Sequence, residues 1–219
     1  MTLRLAIFDL DNTLLAGDSD YAWGHFLVAK GIVDRDYYQQ ENERFYREYQ
    51  SKTLDIHDYQ RFVLAPLIAM GWAEHSVLHQ EFMATVVTEM RLPKADVLIQ
   101  QHRDQGDQLL IITATNRLTA GPIGPWLGID TVLATEPEIV DGKLTGRILG
   151  TPCFQEGKIT RLQQWLTQQK VTPTQMTFYS DSINDLPLLE YADQPVAVDP
   201  DDRLQAHARQ QGWSIISLR

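Results

Sequence analysis

The chain opens with a short apolar segment that ends abruptly in polar residues. Residues 3–8 are mostly apolar and Asp9 follows them directly, a pattern typical of a short buried strand. From about residue 18 to 90 the apolar positions recur with helical spacing, and Gly31 and Gly71 stand where helices would end. The sequence predicts four helices in this block, around residues 21–27, 37–49, 54–70 and 77–90.

After Pro93 the pattern changes to helices that alternate with short apolar strands. Asp141-Gly142 lies between two alternating segments of residues 138–148, which predicts a hairpin inserted into this order. The alternation itself predicts a parallel sheet. The predicted strands cover residues 108–113, the region near Val132, 176–180 and 195–198. Two predicted helices end near residues 105 and 127, and two more cover 157–169 and 184–191. A final helix and strand follow.

These elements predict an α/β fold, a doubly wound parallel sheet with a Rossmann-like core. We assign residues 1–15 and 91–219 to this core and residues 16–90 to an inserted all-helical domain. In open α/β sheets ligands bind beyond the carboxyl ends of the strands. A helical block directly behind the first strand is well placed to cover such a site.

Composition and charge exclude some classes of function. The chain has 219 residues, of which 43% are hydrophobic and 22% charged, and a formal net charge of −10. These values are typical of a globular protein with one sizeable core. The negative charge argues against a basic surface that grips nucleic acid or an anionic membrane. We therefore expect a small-molecule substrate, no nucleic acid, no membrane partner and no obligate protein partner.

The sequence also indicates the cellular compartment. The apolar run before Asp9 is too short and too closely followed by acids for a signal-peptide core. The longest apolar stretch elsewhere, residues 62–73, contains Pro66 and falls short of the roughly 20 residues that span a membrane. Cys153 is the single cysteine, which excludes an internal disulfide and fits a reducing compartment. We expect a cytoplasmic protein.

Two carboxylates follow the first predicted strand. Asp9 and Asp11 are two residues apart, so in extended backbone both side chains point toward the same side. Close carboxylates repel each other, and a hard divalent cation such as Mg²⁺, with phosphate oxygens completing its shell, relieves that repulsion. The pair alone is equally compatible with two solvated loop aspartates.

The next predicted strand ends in Thr113-Ala114-Thr115-Asn116. A hydroxyl with exposed backbone amides near a helix start can cradle a phosphate, although Thr and Asn also cap helices in many proteins. We take Thr113 and Ala114 as candidate phosphate-binding residues.

Lys158 stands at the start of a later helix, where a fixed ammonium would neutralise phosphate and the charge that develops in a transition state. An isolated lysine at such a position is normally solvated. A nucleotide-binding loop that ends in Gly157-Lys158 is excluded, because its first glycine would fall on Pro152 and its hydroxyl on Ile159.

A second acidic cluster follows the fourth predicted strand, in the segment Ser180-Asp181-Ser182-Ile183-Asn184-Asp185. We expect Asp181 to complete a metal shell. Asp185 would contact the metal through water or orient its ligands and Lys158, and Asn184 would act as a polar group behind them. A helix N-cap cluster would explain Ser182, but not two aspartates and an asparagine.

Taken in order, these segments resemble a known superfamily. Four segments look like the four ordered motifs of the haloacid dehalogenase-like (HAD) hydrolases. They are DLDNTL at Asp9, the strand end at Thr113, Lys158, and SDSINDLPLL after the fourth strand. The match spans residue 9 to about residue 189. The helical insertion resembles the first cap type of that superfamily, found in subfamily IB with the phosphoserine phosphatases and their relatives.

The resemblance implies a Mg²⁺-dependent phosphomonoester hydrolase that works through an aspartyl-phosphate. Asp9 would attack phosphorus, and Asp11 would protonate the leaving alkoxide and then activate water. The superfamily's dehalogenases do not use a second aspartate as acid and base, so Asp11 argues against dehalogenation. The implied metal ligands are Asp9, Asp11 through its carbonyl oxygen, and Asp181, and the implied phosphate ligands are Thr113, Ala114 and Lys158.

The helical insertion should determine the substrate. Asp18 falls where phosphoserine phosphatases place a glutamate that meets the substrate's amino group. Asp18 and Asp20 can also cap the first inserted helix, which we expect of Asp20. The arginine motif that holds the phosphoserine carboxylate has no clear counterpart, since Arg44, Arg47 and Arg61 stand in other settings.

An amino-alcohol phosphate without a carboxylate, such as histidinol phosphate, would suit acidic and aromatic residues without an arginine clamp. GDSDYAWGHFL also resembles a bacterial subgroup with members linked to histidinol-phosphate hydrolysis. Histidinol phosphate is therefore the expected substrate, with phosphoserine as the alternative and phosphate transfer to an acceptor other than water as a further one.

Two other functions are compatible with parts of the sequence. A phospho-accepting receiver module also uses an aspartate, an acidic pair, a hydroxyl and a lysine, but it keeps its acceptor in mid-chain and has no helical lid. His75 and His79 are four residues apart and could share a helix face, yet no Glu follows His75 as a zinc protease would need. We expect no functional metal there.

Overall fold

The computed structural model of the protein describes residues 3–219. In chain order, its helices and strands are β1 (Arg4–Phe8), α1 (Ser19–Ala29), α2 (Arg35–Ser51), α3 (Ile56–Met70), α4 (Trp72–Thr85), α5 (Pro93–Asp104), β2 (Gln108–Asn116), α6 (Arg117–Trp126), β3 (Val132–Thr135), β4 (Pro137–Val140), β5 (Lys143–Ile148), α7 (Glu156–Gln169), β6 (Gln175–Ser180), α8 (Leu186–Tyr191), β7 (Gln194–Val198), α9 (Asp202–Gln211) and β8 (Ser214–Ile216).

Six parallel strands form the main sheet, in the order β3-β2-β1-β6-β7-β8. β1 lies between β2 and β6, with Phe8 in register with Ile111 on one side and Tyr179 on the other. The strand order reverses at β1, so its carboxyl end opens into the crevice where such sheets bind ligands. The residues that follow β1, β2 and β6 therefore meet at one edge.

Both faces of this sheet are buried. Ala6 and Phe8 of β1 pack into one apolar cluster, whereas Leu5 and Ile7 pack into a second. Since successive side chains of a strand point to opposite faces, β1 is covered on both sides. This cover explains why residues 5–8 of β1 are a continuous apolar run in the sequence rather than an alternating one. The predicted doubly wound α/β fold is confirmed.

The four helices α1 to α4 and a 3-10 turn over Val87–Met90 separate β1 from β2. Trp23 and Leu27 of α1 pack into the same cluster as Phe8. We propose, as the sequence suggested, that residues 16–90 form a cap over a core of residues 1–15 and 91–219. Residues 1 and 2 of that range lie outside the described part of the chain.

The predicted hairpin is present as β4 and β5, which pair antiparallel. It lies against the cap, where the Trp72 indole nitrogen donates a hydrogen bond of 2.7 Å to the carbonyl of Gly142. A Cβ at Gly146 would lie 3.4 Å from the end of the Ile68 side chain in α3. The sequence predicted the hairpin but not this contact.

Some predicted bounds were wrong. α4 begins at Trp72 rather than near Val77, because Gly71, with φ of +78°, ends α3 and starts α4 without a loop. α8 begins at Leu186 rather than at Asn184. A 3-10 turn precedes it, capped by the Ser182 hydroxyl, which accepts from the Asn184 amide.

The strand β2 is also longer than predicted. It continues beyond Thr113 to Asn116, and its register with β3 shifts between Ile112 and Asn116. This irregular stretch carries the polar residues that the sequence singled out. Within residues 3–219, no helix is both long enough and apolar enough to span a membrane.

Candidate active site

Asp9 stands directly after β1 at the centre of the sheet edge. Its amide donates a hydrogen bond of 2.9 Å to the carbonyl of Tyr179, which continues the pairing of β1 with β6. Asp9 is 7% exposed, and one carboxylate oxygen lies 2.7 Å from Nζ of Lys158. Burial raises the pKa of Asp9 to about 7, against the lowering effect of Lys158. The carboxylate is thus fixed in place and only thinly solvated.

Lys158 joins Asp9 to Asp185. Its Nζ also lies 2.7 Å from an oxygen of Asp185, and the Ser180 hydroxyl donates to Asp185 at 2.7 Å. Burial alone would lower the pKa of Lys158, but Asp185 and Asp9 together raise it above its usual value. The ammonium therefore keeps its charge in a buried position.

The chain geometry before α7 delivers Lys158 to this place. A Cβ at position 157 would lie 2.0 Å from the carbonyl oxygen of Pro152, so only glycine fits there. Gln155 has a positive φ of +49° immediately before the helix. Gly157 thus lets the first turn of α7 approach the backbone closely, with Lys158 pointing toward the sheet edge.

Asp11 is held by two donors. The Ser19 amide donates to its Oδ1 at 2.6 Å, and the Thr115 hydroxyl donates to its Oδ2 at 2.6 Å. Burial, followed by the charge of Asp18, raises the pKa of Asp11 to about 6. A carboxyl group with a pKa near neutrality can both give and accept a proton.

The end of β2 lies beside β1, as expected for a phosphate cradle. Thr113 is buried, and its hydroxyl accepts a hydrogen bond of 3.2 Å from the Thr115 amide. Ala114 is partly exposed in the irregular part of the strand. Asn116 caps α6, with its side-chain oxygen 2.9 Å from the Leu118 amide. The capping alternative thus applies to Asn116, and Thr113 and Ala114 stay candidates for phosphate binding.

Asp181 follows β6 on the other side of Asp9. The Thr13 hydroxyl donates to Oδ1 of Asp181 at 3.1 Å and accepts from its amide at the same distance. Burial, then the charges of Asp9 and Asp185, raise the pKa of Asp181 well above its usual range. The structure therefore brings a second carboxylate close to Asp9 in a setting that disfavours two negative charges.

This donor set fits a hard divalent cation. Asp9, Asp11, Asp181 and Asp185 share the edge with the Lys158 ammonium, so the carboxylates outnumber the charge that balances them. Ca²⁺ and Mg²⁺ accept carboxylate and carbonyl oxygens. Among residues 3–219, no three His, Cys, Asp or Glu side chains converge on one metal position. An ion here would therefore need backbone or phosphate oxygens as well.

Asn184 connects this edge to the cap. Its side-chain nitrogen donates to the carbonyl of Tyr49 at 3.3 Å, and its oxygen lies 3.5 Å from Nε2 of Gln155. The Tyr49 hydroxyl donates to the Ser182 hydroxyl at 2.8 Å. The C-terminal end of α2 thus rests on the loop after β6. The sequence did not predict this contact of Tyr49 with Ser182, because no local pattern links residues 133 positions apart.

At the start of α1 the helix cap is not the aspartate that we expected. Asp18, not Asp20, is the N-cap, and it accepts a hydrogen bond of 2.9 Å from the Tyr21 amide. Asp20 lies in the first turn and is buried, where it accepts from the Asn116 side chain at 3.1 Å. The prediction that Asp20 caps the helix was wrong. Asp18 keeps exposed surface, and partial burial, opposed by hydrogen bonds from the Tyr21 and Asp20 amides, raises the pKa of its carboxyl group.

Two of the cap arginines are paired with neighbours on their own helices. Arg44 of α2 forms ion pairs with Glu41 at 2.6 Å and Glu48 at 2.8 Å. Arg61 of α3 pairs with Asp58. Both side chains remain substantially exposed. Neither is arranged to hold a substrate carboxylate.

His75 and His79 are core residues of the cap. Their rings lie 5.6 Å apart, each packs against Trp23, and His79 Nε2 is 3.3 Å from the carbonyl oxygen of Thr119. A groove of about 1070 Å³ beside them, between α4 and α6, has no carboxylate or lysine in its lining. This groove is therefore not the candidate active site, in spite of its volume.

Comparison with known proteins places these features in a family. The model of the haloacid dehalogenase-like hydrolases matches residues 6–190. A histidinol-phosphatase of Neisseria meningitidis serogroup C is 43% identical over 220 aligned positions, which cover 99% of each chain. A phosphoserine phosphatase of Mycobacterium tuberculosis is 31% identical, over 98% of this chain and 70% of that one. A Bordetella pertussis protein of unknown function has a similar structure, with a TM-score of 0.94, 38% identity and full coverage of both chains.

Proposed function

The chain belongs to the haloacid dehalogenase-like hydrolases, and we propose that it is a Mg²⁺-dependent phosphatase whose substrate is histidinol phosphate. The alcohol of this monoester carries an amine and an imidazole but no carboxylate. The observation that carries the choice of substrate is the charge near Asp11. Asp18 and Asp20 lie at the start of α1, whose Ser19 amide binds Asp11, whereas Arg44 and Arg61 are held in ion pairs within their own helices.

Asp9 is the nucleophile of this proposal. Its carboxylate oxygen forms a bond to phosphorus as the bond between phosphorus and the ester oxygen breaks, which leaves an aspartyl-phosphate and the free alcohol. Splitting the displacement into two steps is the usual gain of covalent catalysis. The contact of 2.7 Å with Lys158 fixes the orientation of the attacking group.

Asp11 moves the protons. It gives a proton to the leaving alcohol oxygen in the first step. In the second it takes a proton from the water that attacks phosphorus and releases Asp9 and inorganic phosphate. The hydrogen bonds from Ser19 and Thr115 keep its carboxyl group oriented. A pKa raised to about 6 suits a group that must act in both directions.

Thr113, Ala114 and Lys158 hold the phosphoryl oxygens. Thr113 lies in β2 two residues beyond Ile111, the partner of Phe8, and so beside the segment that carries Asp9, and Ala114 presents backbone where the strand register shifts. Lys158 keeps a positive charge within reach of Asp9. Fixed donors that meet charge as it develops are among the largest contributions to catalysis.

Asp9 and Asp181 would bind Mg²⁺ through their side chains, and Asp11 through its carbonyl oxygen. When bound, the ion would neutralise the carboxylates and polarise the phosphoryl group. Asp185 orients Lys158, since the two groups lie 2.7 Å apart. Asn184 holds the loop after β6 against α2 through its hydrogen bond to the carbonyl of Tyr49.

Phosphoserine is the second candidate substrate. The 31% identical phosphoserine phosphatase of Mycobacterium tuberculosis favours it. The acidic residues at the start of α1 oppose it, because a buried substrate carboxylate needs a paired cation. Transfer of the phosphoryl group to an acceptor other than water would use the same Asp9 chemistry.

The test is release of inorganic phosphate with Mg²⁺ from histidinol phosphate, phosphoserine and p-nitrophenyl phosphate. We expect kcat/KM for histidinol phosphate to exceed that for phosphoserine by about 100-fold or more, as one unpaired buried charge can account for. Asp11→Asn should reduce turnover by about 100-fold or more. Turnover of phosphoserine with none of histidinol phosphate would reverse the assignment, and transfer to an added alcohol in place of phosphate release would make the protein a phosphotransferase.

A further inference from the structure

Two pairs of adjacent residues surround the carboxyl group of Asp11. Its Oδ1 accepts from the Ser19 amide and its Oδ2 from the Thr115 hydroxyl, each at 2.6 Å. Asp20 follows Ser19 in the chain, and Asn116 follows Thr115. The side chains of these two following residues bond to each other, since Nδ2 of Asn116 donates to Oδ1 of Asp20 at 3.1 Å. Covalent and hydrogen bonds thus close a ring of five residues that includes the proposed proton donor.

The two donors to Asp11 come from distant parts of the chain. Ser19 is the first residue of α1, in the proposed cap, whereas Thr115 lies near the end of β2. The bond between Asp20 and Asn116 joins the same two elements directly beside these donors. It therefore limits how far α1 can move relative to β2, and with it the direction in which the carboxyl group of Asp11 points.

The orientation of Asn116 is set by the start of α6. Its Oδ1 accepts from the amides of Leu118 and Thr119, at 2.9 and 3.2 Å, as the N-cap of that helix. Because backbone amides only donate, the side-chain nitrogen must face the other way, toward Asp20. Asn116 is fully buried, and its Nδ2 also donates to the Thr119 hydroxyl at 3.2 Å. The donor that Asp20 meets is thus fixed in place.

Asp20 is a buried carboxylate that packing does not explain. It is 5% exposed, and its Oδ2 has no hydrogen-bond partner among residues 3–219. Ser19 Oγ, Trp23 Nε1 and the Gln60 amide lack partners as well. The bond that reaches the end of β2 is what sets Asp20 apart. A carboxylate that is buried against a neutral donor costs stability, and such a cost is expected at a functional site.

We propose that Asp20 and Asn116 are positioning residues, whose hydrogen bond keeps the two donors to Asp11 in place. The carboxyl group of Asp11 is thereby aimed at the ester oxygen, to which it gives its proton as the bond from that oxygen to phosphorus breaks. This role requires an acceptor on Asp20 and no negative charge. The inference rests on the proposed function, because it concerns the proton donor of the same reaction.

The test uses leaving groups that differ in their need for a proton, with Mg²⁺ present. p-Nitrophenolate departs as a stable anion, whereas phenolate and the alkoxide of histidinol are more basic and depend on the proton donor. Phenyl phosphate and p-nitrophenyl phosphate are similar in shape, and neither has an N–H group. kcat/KM reports the steps up to release of the alcohol, in which the proton is given.

Asp20→Ala removes the bond, whereas Asp20→Asn keeps it, because an amide oxygen also accepts from Asn116. For Asp20→Ala we expect kcat/KM to fall about 10-fold or more with phenyl phosphate and histidinol phosphate, and to stay within about 3-fold with p-nitrophenyl phosphate. Asp20→Asn should stay within about 3-fold of wild type on all three substrates. Asp55→Ala, which removes the N-cap of α3, should leave the ratio of the two aryl phosphates unchanged.

Exchange of the two side chains tests the bond from the other side. Asn116→Asp still caps α6, since a carboxylate also accepts from backbone amides, but it sets two carboxylates against each other. It should reproduce the loss seen in Asp20→Ala. The double variant, Asn116→Asp with Asp20→Asn, restores the bond with its direction reversed and should recover most of the activity on phenyl phosphate.

An unchanged ratio of the two aryl phosphates in Asp20→Ala, whether both fall equally or neither falls, would mean at most a structural role and overturn the inference. A loss confined to histidinol phosphate in Asp20→Asn would also overturn it, because Asp20 would then act as a charged contact for the substrate's nitrogen. Wild-type protein that hydrolyses none of the three substrates would overturn the proposed function and the inference with it. Failure of wild type on histidinol phosphate alone would change the proposed substrate, and the two aryl phosphates would still decide the inference.

Discussion

The Thr115 hydroxyl donates a hydrogen bond of 2.6 Å to Oδ2 of Asp11. This bond lowers the pKa of Asp11 against the larger raising effect of burial. Thr115→Val removes the hydroxyl at nearly constant volume, so the pKa should rise further above about 6. Because the proton donor must be protonated for the first step, kcat/KM falls as pH rises through this pKa, and the falling limb should move to higher pH in the variant.

The pH profile of kcat/KM measures this shift. Thr115→Ser, which keeps the hydroxyl, should leave the limb where it is in wild type. A limb that stays in place in Thr115→Val, or that moves to lower pH, would contradict the assignment of Asp11 as the proton donor.

The second prediction concerns stability. Lys158→Met leaves the carboxylates of Asp9 and Asp185 buried without the ammonium between them. Removal of one partner of a buried ion pair typically costs about 3–5 kcal/mol, so the free energy of unfolding in urea should fall by about 3 kcal/mol. Lys143→Met, at an exposed position of β5, should change it by less than about 0.5 kcal/mol. Similar values for the two variants would show that the buried pairing is not formed.

The third prediction concerns the contact of the cap with the core. The bond of 2.8 Å between Tyr49 and Ser182 joins α2 to the loop after β6. Tyr49→Phe should raise KM about 3-fold to 10-fold, because the closed arrangement that holds substrate loses one hydrogen bond of about 1 kcal/mol. In a double-mutant cycle, Tyr49→Phe should add little to the change in KM already caused by Ser182→Ala, which also removes the cap of the 3-10 turn. Fully additive effects would argue against the contact in solution.

The fourth prediction is a pH dependence of folding. Burial, followed by His79, lowers the pKa of His75 to about 4. Protonation therefore favours the unfolded chain, and stability should decline as pH falls below about 6.5, the pKa of an unfolded histidine. Between pH 7 and pH 4.5, wild type should lose about 1–2 kcal/mol more than His75→Gln, measured by urea unfolding at each pH. Equal slopes for the two proteins would show that His75 is not buried as described.

Much of this arrangement was accessible from the sequence. Asp9, Thr113 and Asp181 each follow an apolar run, and parallel strands bring such positions to one edge. The order of β1, β2 and β6 in the sheet then sets them side by side. The local pattern was sufficient because each of these residues is placed by the strand it follows.

Contacts between distant helices could not be predicted in that way. The bond between Tyr49 and Ser182 depends on how α2 lies over the core, which no local pattern encodes. Asp18 and Asp20 are both of a residue type that commonly caps helices. Which of them is the N-cap depends on the residue at which α1 begins. α4 was predicted to start too late, because Gly71 joins two helices where a loop was expected.

The central claim is that Asp9 carries the phosphoryl group, and rapid acid quench of the protein mixed with ³²P-labelled histidinol phosphate and Mg²⁺ tests it most directly. We predict label that is released by hydroxylamine, as an acyl phosphate is, on the peptide that contains Asp9, and neither label nor phosphate release in Asp9→Asn. Label on another residue, or substantial phosphate release by Asp9→Asn, would contradict the account.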